Sequence, residues 1–297
     1  MTNALRIPAF VNPKSGNFDG ARAALEQAGS FDIHEIDPQK LQDEVRKAID
    51  SGAKRVLVAG GDGTIRGGAC GVRGTAGELA VLPSGTLNHF AKDHGIPVDL
   101  AEAATVAAGH TTVAIDAGSV GDTLFLNTSS IGAYVLFMRI RERLEERFGY
   151  RVSSFLAMVV TFVRMRTMAV ELEIDGKKTI YRTPIVFIGV GERETQAPAF
   201  GGRIDNGRRG LHVIVVRGRR KARLLALAMS AMSRGVASAS QTPAMDSFIV
   251  DACTITMRRS TAVVALDGEA EPMATPLEYR LERDIISVVT KESTSST

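Results

Sequence analysis

Four short apolar runs, at residues 6–11, 31–36, 55–59 and 78–82, alternate with helical patterns at 20–28, 38–51 and 64–72. Strands parted by helices of about ten residues are too far apart in sequence to close as hairpins. They pair in parallel through right-handed crossovers. A further helix at 100–108 stops at Gly109, a natural C-cap residue. In such a sheet the C-terminal strand ends share one edge, and ligands bind there.

From about residue 113 the rhythm changes. Residues 113–120 and 123–127 read as a hairpin turning near Gly121-Asp122, and helices follow at 134–148 and 153–166. Strands are predicted at 168–174, 178–181, 185–190, 211–216, 248–257, 262–266, 277–281 and 285–290. A helix at 221–236 interrupts them, and the Ser/Thr-rich end at 293–297 reads as a frayed tail. The predicted fold class is α/β: a parallel-sheet nucleotide-binding domain over 1–116 and a β-rich, sandwich-like substrate domain over 117–290. The last strand or tail is free to return to the first domain.

Composition narrows the function classes. A net charge of +3, no Trp and 5% aromatic residues argue against nucleic-acid binding. Cys70 and Cys253 are far apart and fit no metal spacing, as in a reduced cytosolic chain; one long-range disulfide is the alternative. The five histidines form no metal set. The longest apolar stretch, 155–163 with Thr161 inside it, is about half the ~20 residues a spanning helix needs, and the first strand-like run lacks a signal peptide's apolar core. A chain not integral to a membrane is expected.

The chemistry concentrates in Arg55-Val-Leu-Val-Ala-Gly60-Gly61-Asp62-Gly63-Thr64-Ile65-Arg66. Glycines without Cβ atoms let backbone N–H groups approach a phosphate chain, and the helix starting near Thr64 adds its dipole. An Asp among such glycines repels phosphate unless it meets Mg²⁺ or a proton donor. Alone, the segment also admits the plainer reading of a tight strand–helix turn. It is neither a Walker A loop nor a dinucleotide fingerprint. Two more polar, glycine-bearing loops follow the first and fourth strands: Asn12-Pro13-Lys14-Ser15-Gly16-Asn17 and Pro83-Ser84-Gly85-Thr86-Leu87-Asn88. Parallel pairing would bring all three to one crevice.

These three loops, with Leu266-Asp267-Gly268-Glu269, resemble the signatures of the diacylglycerol kinase catalytic-domain superfamily, which includes lipid and sphingosine kinases and, more distantly, NAD kinases. The resemblance implies an NAD-kinase-like α/β domain plus a β-sandwich domain, with ATP and Mg²⁺ as cofactors. Asn12, Pro13, Lys14, Ser15 and Gly16 would hold the nucleotide, with Gly60, Gly61, Asp62, Gly63, Thr64, Ile65 and Arg66, and Ser84, Gly85, Thr86 and Asn88. Glu269 would take the proton from a lipid hydroxyl, and Asp62 would assist through Mg²⁺ or hydrogen bonding. On that reading Glu269→Gln and Asp62→Asn abolish turnover while thermal stability stays close to normal. The partner would be a lipid substrate at the inner membrane face, with no nucleic acid; a homodimer is compatible. Asp267-Gly-Glu269 by itself reads as a hairpin turn.

Two positions depart from the pattern. His89 stands where related bacterial lipid kinases carry Asp. The stretch from Asp205 to His212, where the family builds a structural Mg²⁺ site, is depleted of carboxylates and holds Arg208 and Arg209, so a tight structural magnesium is not expected. The basic run from Arg217 to Arg223 before an apolar stretch at 224–232 fits either an anionic lipid surface or a core helix with a solvated entry. Residues 153–166 fit core packing or the wall of an acyl-chain pocket. A soluble NAD kinase-like enzyme and a non-catalytic nucleotide or lipid sensor are the competing functions.

Overall fold

The computed structural model describes residues 6–195, 201–217 and 245–291; the expected helix at 221–236, the basic run beyond Arg217 and the 293–297 tail lie outside them. The chain divides into two compact units, one of residues 1–117 with 282–297, the other of residues 118–281. Its fold class is the expected one, a parallel-sheet α/β part followed by an antiparallel β-rich part.

The first unit opens with β1 (Ile7–Val11), α1 (Phe18–Ala28), β2 (Phe31–Glu35), α2 (Leu41–Asp50), β3 (Arg55–Gly60), α3 (Asp62–Val72) and β4 (Glu78–Pro83). The short α4 (His89–Asp93) and α5 (Leu100–Ala108) follow. The strands pair in parallel in the order β2-β1-β3-β4, as the alternation predicts. Val56, Leu57, Val58, Leu79, Ala80 and Leu82 are buried, because a parallel sheet is covered on both faces and its strands are apolar throughout. Helix α3 sits close to the sheet at its glycines. A Cβ on Gly68 would lie 2.6 Å from Val58 Cγ2, and one on Gly71 would lie 2.5 Å from Val45 Cγ1 of α2.

The second unit holds most of β5 to β16: β5 (Thr112–Val120), β6 (Thr123–Phe125), β7 (Thr128–Gly132), α6 (Ala133–Arg164), β8 (Met168–Ile174), β9 (Lys177–Thr183), β10 (Ile185–Val190), β11 (Leu211–Val216), β12 (Met245–Val250), β13 (Ala252–Met257), β14 (Thr261–Leu266), β15 (Glu269–Ala274) and β16 (Leu277–Val289). Strand β5 begins in the first unit, and β16 ends there, where Ser287 and Val288 pair in parallel with β4. A six-stranded antiparallel sheet runs β12-β11-β10-β7-β14-β15. Its inward residues, such as Ile131, Ile188, Val213 and Val264, share a core with Leu172, Ile255 and Tyr279 of the neighbouring β8, β13 and β16. Two packed sheets around one core are the expected sandwich-like arrangement.

Several elements differ from the sequence expectation. The central strand β7, Thr-Ser-Ser-Ile-Gly, has no apolar run; Ser129 is buried because its hydroxyl meets the Tyr279 hydroxyl at 3.0 Å. The two expected helices at 134–148 and 153–166 are both present, as the two halves of α6 that part at Gly149, whose φ 69° and ψ 168° are not helical. The run at 248–257 breaks into β12 and β13, which join different sheets. Strand β15 contains Pro272, tolerated because β15 is the sheet's edge. The expected strands at 277–281 and 285–290 are one long β16, whose residue Asp284 (φ 50°) donates its N–H to Asp116.

Candidate active site

Within the first unit the loops after β1, β3 and β4 interlock. Asn12 is buried and donates its side-chain amide to Thr64 Oγ1 at 2.9 Å, across 52 residues of sequence. The Asn12 Oδ1 accepts from the Lys14 N–H at 2.9 Å, shaping the first loop as an Asx turn. The Asn17 N–H reaches the Ser84 carbonyl at 3.1 Å, while its side chain caps α1. Gly61 and Gly85 meet backbone to backbone: a Cβ on Gly85 would lie 2.4 Å from Gly61 Cα. Gly60 is equally constrained, since its Cβ would strike the Thr64 side chain at 2.5 Å. These glycines therefore serve packing between loops as well as openness toward a ligand.

Asp62 has a definite job in this arrangement. Its Oδ2 accepts from the His89 N–H at 3.1 Å and its Oδ1 from the Phe90 N–H at 2.9 Å. The carboxylate thus caps the first turn of α4, a role that the local N-cap residue leaves open. Asn88 sits there in the left-handed region (φ 52°), with its side chain turned back onto Gly85 N and O. The acid among the glycines is stabilised by two amides and the helix end. Each oxygen keeps a lone pair for a further donor or a cation. His89 contributes its backbone N–H to this contact while its side chain is exposed, so a His in place of Asp at this position leaves the contact intact.

Two hydroxyls at the loops, Ser15 Oγ and Ser84 Oγ, are buried with no hydrogen-bond partner among the described residues. Buried polar atoms are nearly always bonded, so such an orphan points to a ligand or water. Lys14 and Thr86 are exposed beside them. Pro13 and Gly16 belong to the first loop, Gly63 and Arg66 lie in the first two turns of α3, and Ile65 is core.

In the second unit, Asp267 and Gly268 (φ 47° and 95°) form the two-residue turn between β14 and β15, and Leu266 pairs with Glu269 across it. Positive φ at both turn positions is the geometry Asp-Gly favours. The Asp267 carboxylate also accepts three backbone N–H groups, from Leu126 (2.6 Å), Asn127 (2.8 Å) and Thr128 (2.9 Å). The turn is thereby riveted to the start of β7, and Glu269 stands exposed beside it. The sequence motif gave no sign of this anchoring.

In the stretch from Asp205 to His212, hydrogen bonds tie Arg208 and His212 to Glu192, Arg193 and Ser247. The Arg208 N–H donates to Glu192 at 2.8 Å, and this bond, above all, lowers the Glu192 pKa. His212 is buried and its pKa is lowered by desolvation, so the ring is neutral at pH 7. Its Nδ1 accepts from the Arg193 N–H at 2.8 Å, which puts the proton on Nε2, directed at Ser247 Oγ 2.6 Å away. Among the described residues no group of three or more His, Cys, Asp or Glu side chains could hold a metal ion.

The family model of the diacylglycerol kinase catalytic domain covers all three interlocked loops. Residues 6–120 match that domain. Relatives include a YegS-like lipid kinase of Klebsiella pneumoniae (strain 342), 31% identical over 61% of this chain and 63% of its own. A YegS-like lipid kinase of Pseudomonas putida is 33% identical over 52% of this chain and 51% of its own. A diacylglycerol kinase of Mycobacterium tuberculosis is 28% identical over 59% and 61%. The chain thus spans between half and two thirds of the relatives' lengths. A crystal structure of a diacylglycerol kinase from Bacillus anthracis str. Sterne superposes with TM-score 0.69 at 19% identity, covering 98% of this chain and 99% of that one. The matched segment therefore contains the three interlocked loops, while Glu269 lies outside it.

Proposed function

We propose that this protein is an ATP-dependent lipid kinase that transfers the γ-phosphoryl group of ATP to the hydroxyl of a lipid such as diacylglycerol. The observation that carries the proposal is the interlock of three glycine-bearing loops at one sheet edge, with the buried, partnerless hydroxyls of Ser15 and Ser84 among them. Phosphoryl transfer asks for positioning, charge neutralisation and one proton acceptor. Backbone amides of the Asn12–Gly16 and Gly60–Thr64 loops, with the first turn of α3, would cradle the phosphates. The Ser84 hydroxyl and Thr86 would donate to phosphate oxygens, and exposed Lys14 would balance charge.

The residues fit a magnesium ion that arrives with the nucleotide. Such an ion needs only one or two carboxylates beside phosphate oxygens, and Asp62 retains acceptor capacity after holding α4. When bound, the ion would neutralise phosphate charge. The lipid hydroxyl would attack the γ-phosphorus as the bond to the β-phosphate bridging oxygen breaks. Glu269 would accept the hydroxyl proton, and ADP would leave. Asp267 would act as a positioning residue by fixing the turn that presents Glu269.

Incubation with γ-labelled ATP and a panel of diacylglycerol, sphingoid, ceramide and polyprenol acceptors tests the proposal; label must appear in a lipid monoester. No labelled lipid in any arm refutes it. Label in NAD in a lipid-free reaction would replace it with a soluble nucleotide kinase.

A further inference from the structure

The second half of α6 is built inside out. Val152, Phe155, Val159 and Val163 recur at spacings of three and four, so they share one helix face. All four are exposed, Phe155 at 54% and Val163 at 66%. The opposite face, Ser153, Ser154, Ala157 and Thr161, is buried, Ser153 at 0%. A helix that packs only against its own protein turns its apolar side inward. Here three hydroxyl residues with Ala157 and Met158 face the protein, and Val152, Phe155, Val159 and Val163 face out. The hydrophobic face must be covered by something else, since a contiguous exposed apolar stripe marks an interaction site.

The charges around the stripe select the occupant. Arg147 and Arg151 lie at one end, and Arg164 and Arg166 at the other, all exposed. Between residues 147 and 170 there is no Asp, Glu, Lys or His, so these 24 residues carry four positive charges and no negative one. A second copy docked on this face would bring its own arginines against them. Residues 218–244 would do the same, for they hold five Lys or Arg and no acid. An apolar stripe with arginines at both ends instead fits the boundary of an anionic bilayer. The side chains enter the acyl region and the guanidinium groups meet lipid phosphates. No helix among the described residues is long and apolar enough to cross a membrane, so this contact lies in the interface plane.

We infer that the 150–164 half of α6 is a membrane-docking surface for anionic phospholipid, lying flat on the bilayer. The inference deepens the lipid-kinase reading by naming how the enzyme reaches its substrate, but the surface is measurable without any turnover. The full chain is co-sedimented, in the absence of ATP, with phosphatidylcholine vesicles with or without phosphatidylglycerol. Binding is expected on the anionic vesicles and is weakened by salt. The double change Arg151→Gln/Arg164→Gln should weaken it roughly thirtyfold, from ~1 kcal/mol per basic residue. Phe155→Ser/Val163→Ser should weaken binding at least tenfold, from apolar area that no longer enters the bilayer.

An environment-sensitive fluorophore at Phe155→Cys should shift to the blue only when anionic vesicles are added. A blue emission already present without vesicles means that another segment or a second copy covers the face, and it overturns the inference. So does unchanged sedimentation of both double variants. Phosphorylation of a short-chain, water-soluble diacylglycerol is read separately, and both double variants should retain it. Vesicle binding without any lipid phosphorylation keeps the surface and rejects the kinase; the reverse outcome keeps the kinase and rejects the surface.

Discussion

Replacing Asp267 by Asn tests the claim that this carboxylate is an anchor. Asn keeps the size and the tolerance of positive φ that the turn demands at φ 47°, so the change isolates charge and acceptor number. Asp267 holds Leu126 N–H on one oxygen and the Asn127 and Thr128 N–H groups on the other. The Asn oxygen can serve only one of these two places. With the oxygen left on Asn127 and Thr128, the new NH₂ faces the Leu126 N–H, and a part-buried donor loses its partner at a cost of about 1–3 kcal/mol. The two remaining bonds lose their charge assistance, about 1 kcal/mol each. The sum is about 3–5 kcal/mol. For a unit of this size that lowers Tm by about 6–20 °C, at roughly 2–4 °C per kcal/mol. Differential scanning calorimetry with parallel urea titration reads the change. A drop below about 3 °C would show that the three amides find other acceptors, and the anchoring argument would fail.

Other consequences are equally measurable. Gly85→Ala should cost about 1–3 kcal/mol and weaken ATP binding, because its Cβ meets Gly61 backbone at 2.4 Å, whereas a Cβ on Gly61 has 3.5 Å to Gly85 Cα and Gly61→Ala should fold with little loss; urea midpoints compare them. Asp62→Asn should lose about 1–2 kcal/mol along with activity, more than the near-normal stability expected from sequence, since one of the two α4 amides loses its acceptor; melting curves decide. Glu269→Gln, exposed, should stay within about 0.5 kcal/mol of the parent in melting while turnover falls about 10²–10⁴-fold in the labelled-lipid assay. His212 is held below its usual pKa of 6.5 by burial, so the unfolded chain binds its proton first. Its contribution to stability is full above about pH 6.5 and falls as the pH drops below that value. His212→Gln should flatten the urea-midpoint slope between pH 7 and 5 relative to the parent.

Much of the fold was legible because its signals are local. The four parallel strands follow from apolar runs separated by helix-length gaps, and the chemistry of the loops follows from where such strands end. The strands that sequence missed carry their reasons elsewhere in the chain. Strand β7 is polar because Ser129 answers the Tyr279 hydroxyl from 150 residues away, and β15 reads as a turn because Pro272 is acceptable only at an edge. The break at Gly149, by contrast, was legible, because it falls between the two helical segments at 134–148 and 153–166.

The sequence by itself determined the class of sheet, the edge at which three loops gather, and the residue types that could bind a phosphate chain. Tertiary structure alone decided what each acid does. Asp62 finds its amides 27 and 28 residues on, and Asp267 finds its own some 140 residues back. A carboxylate's role is set by the donors within about 3 Å of it. Those donors arrive through packing, so periodicity and spacing along the chain carry no record of them.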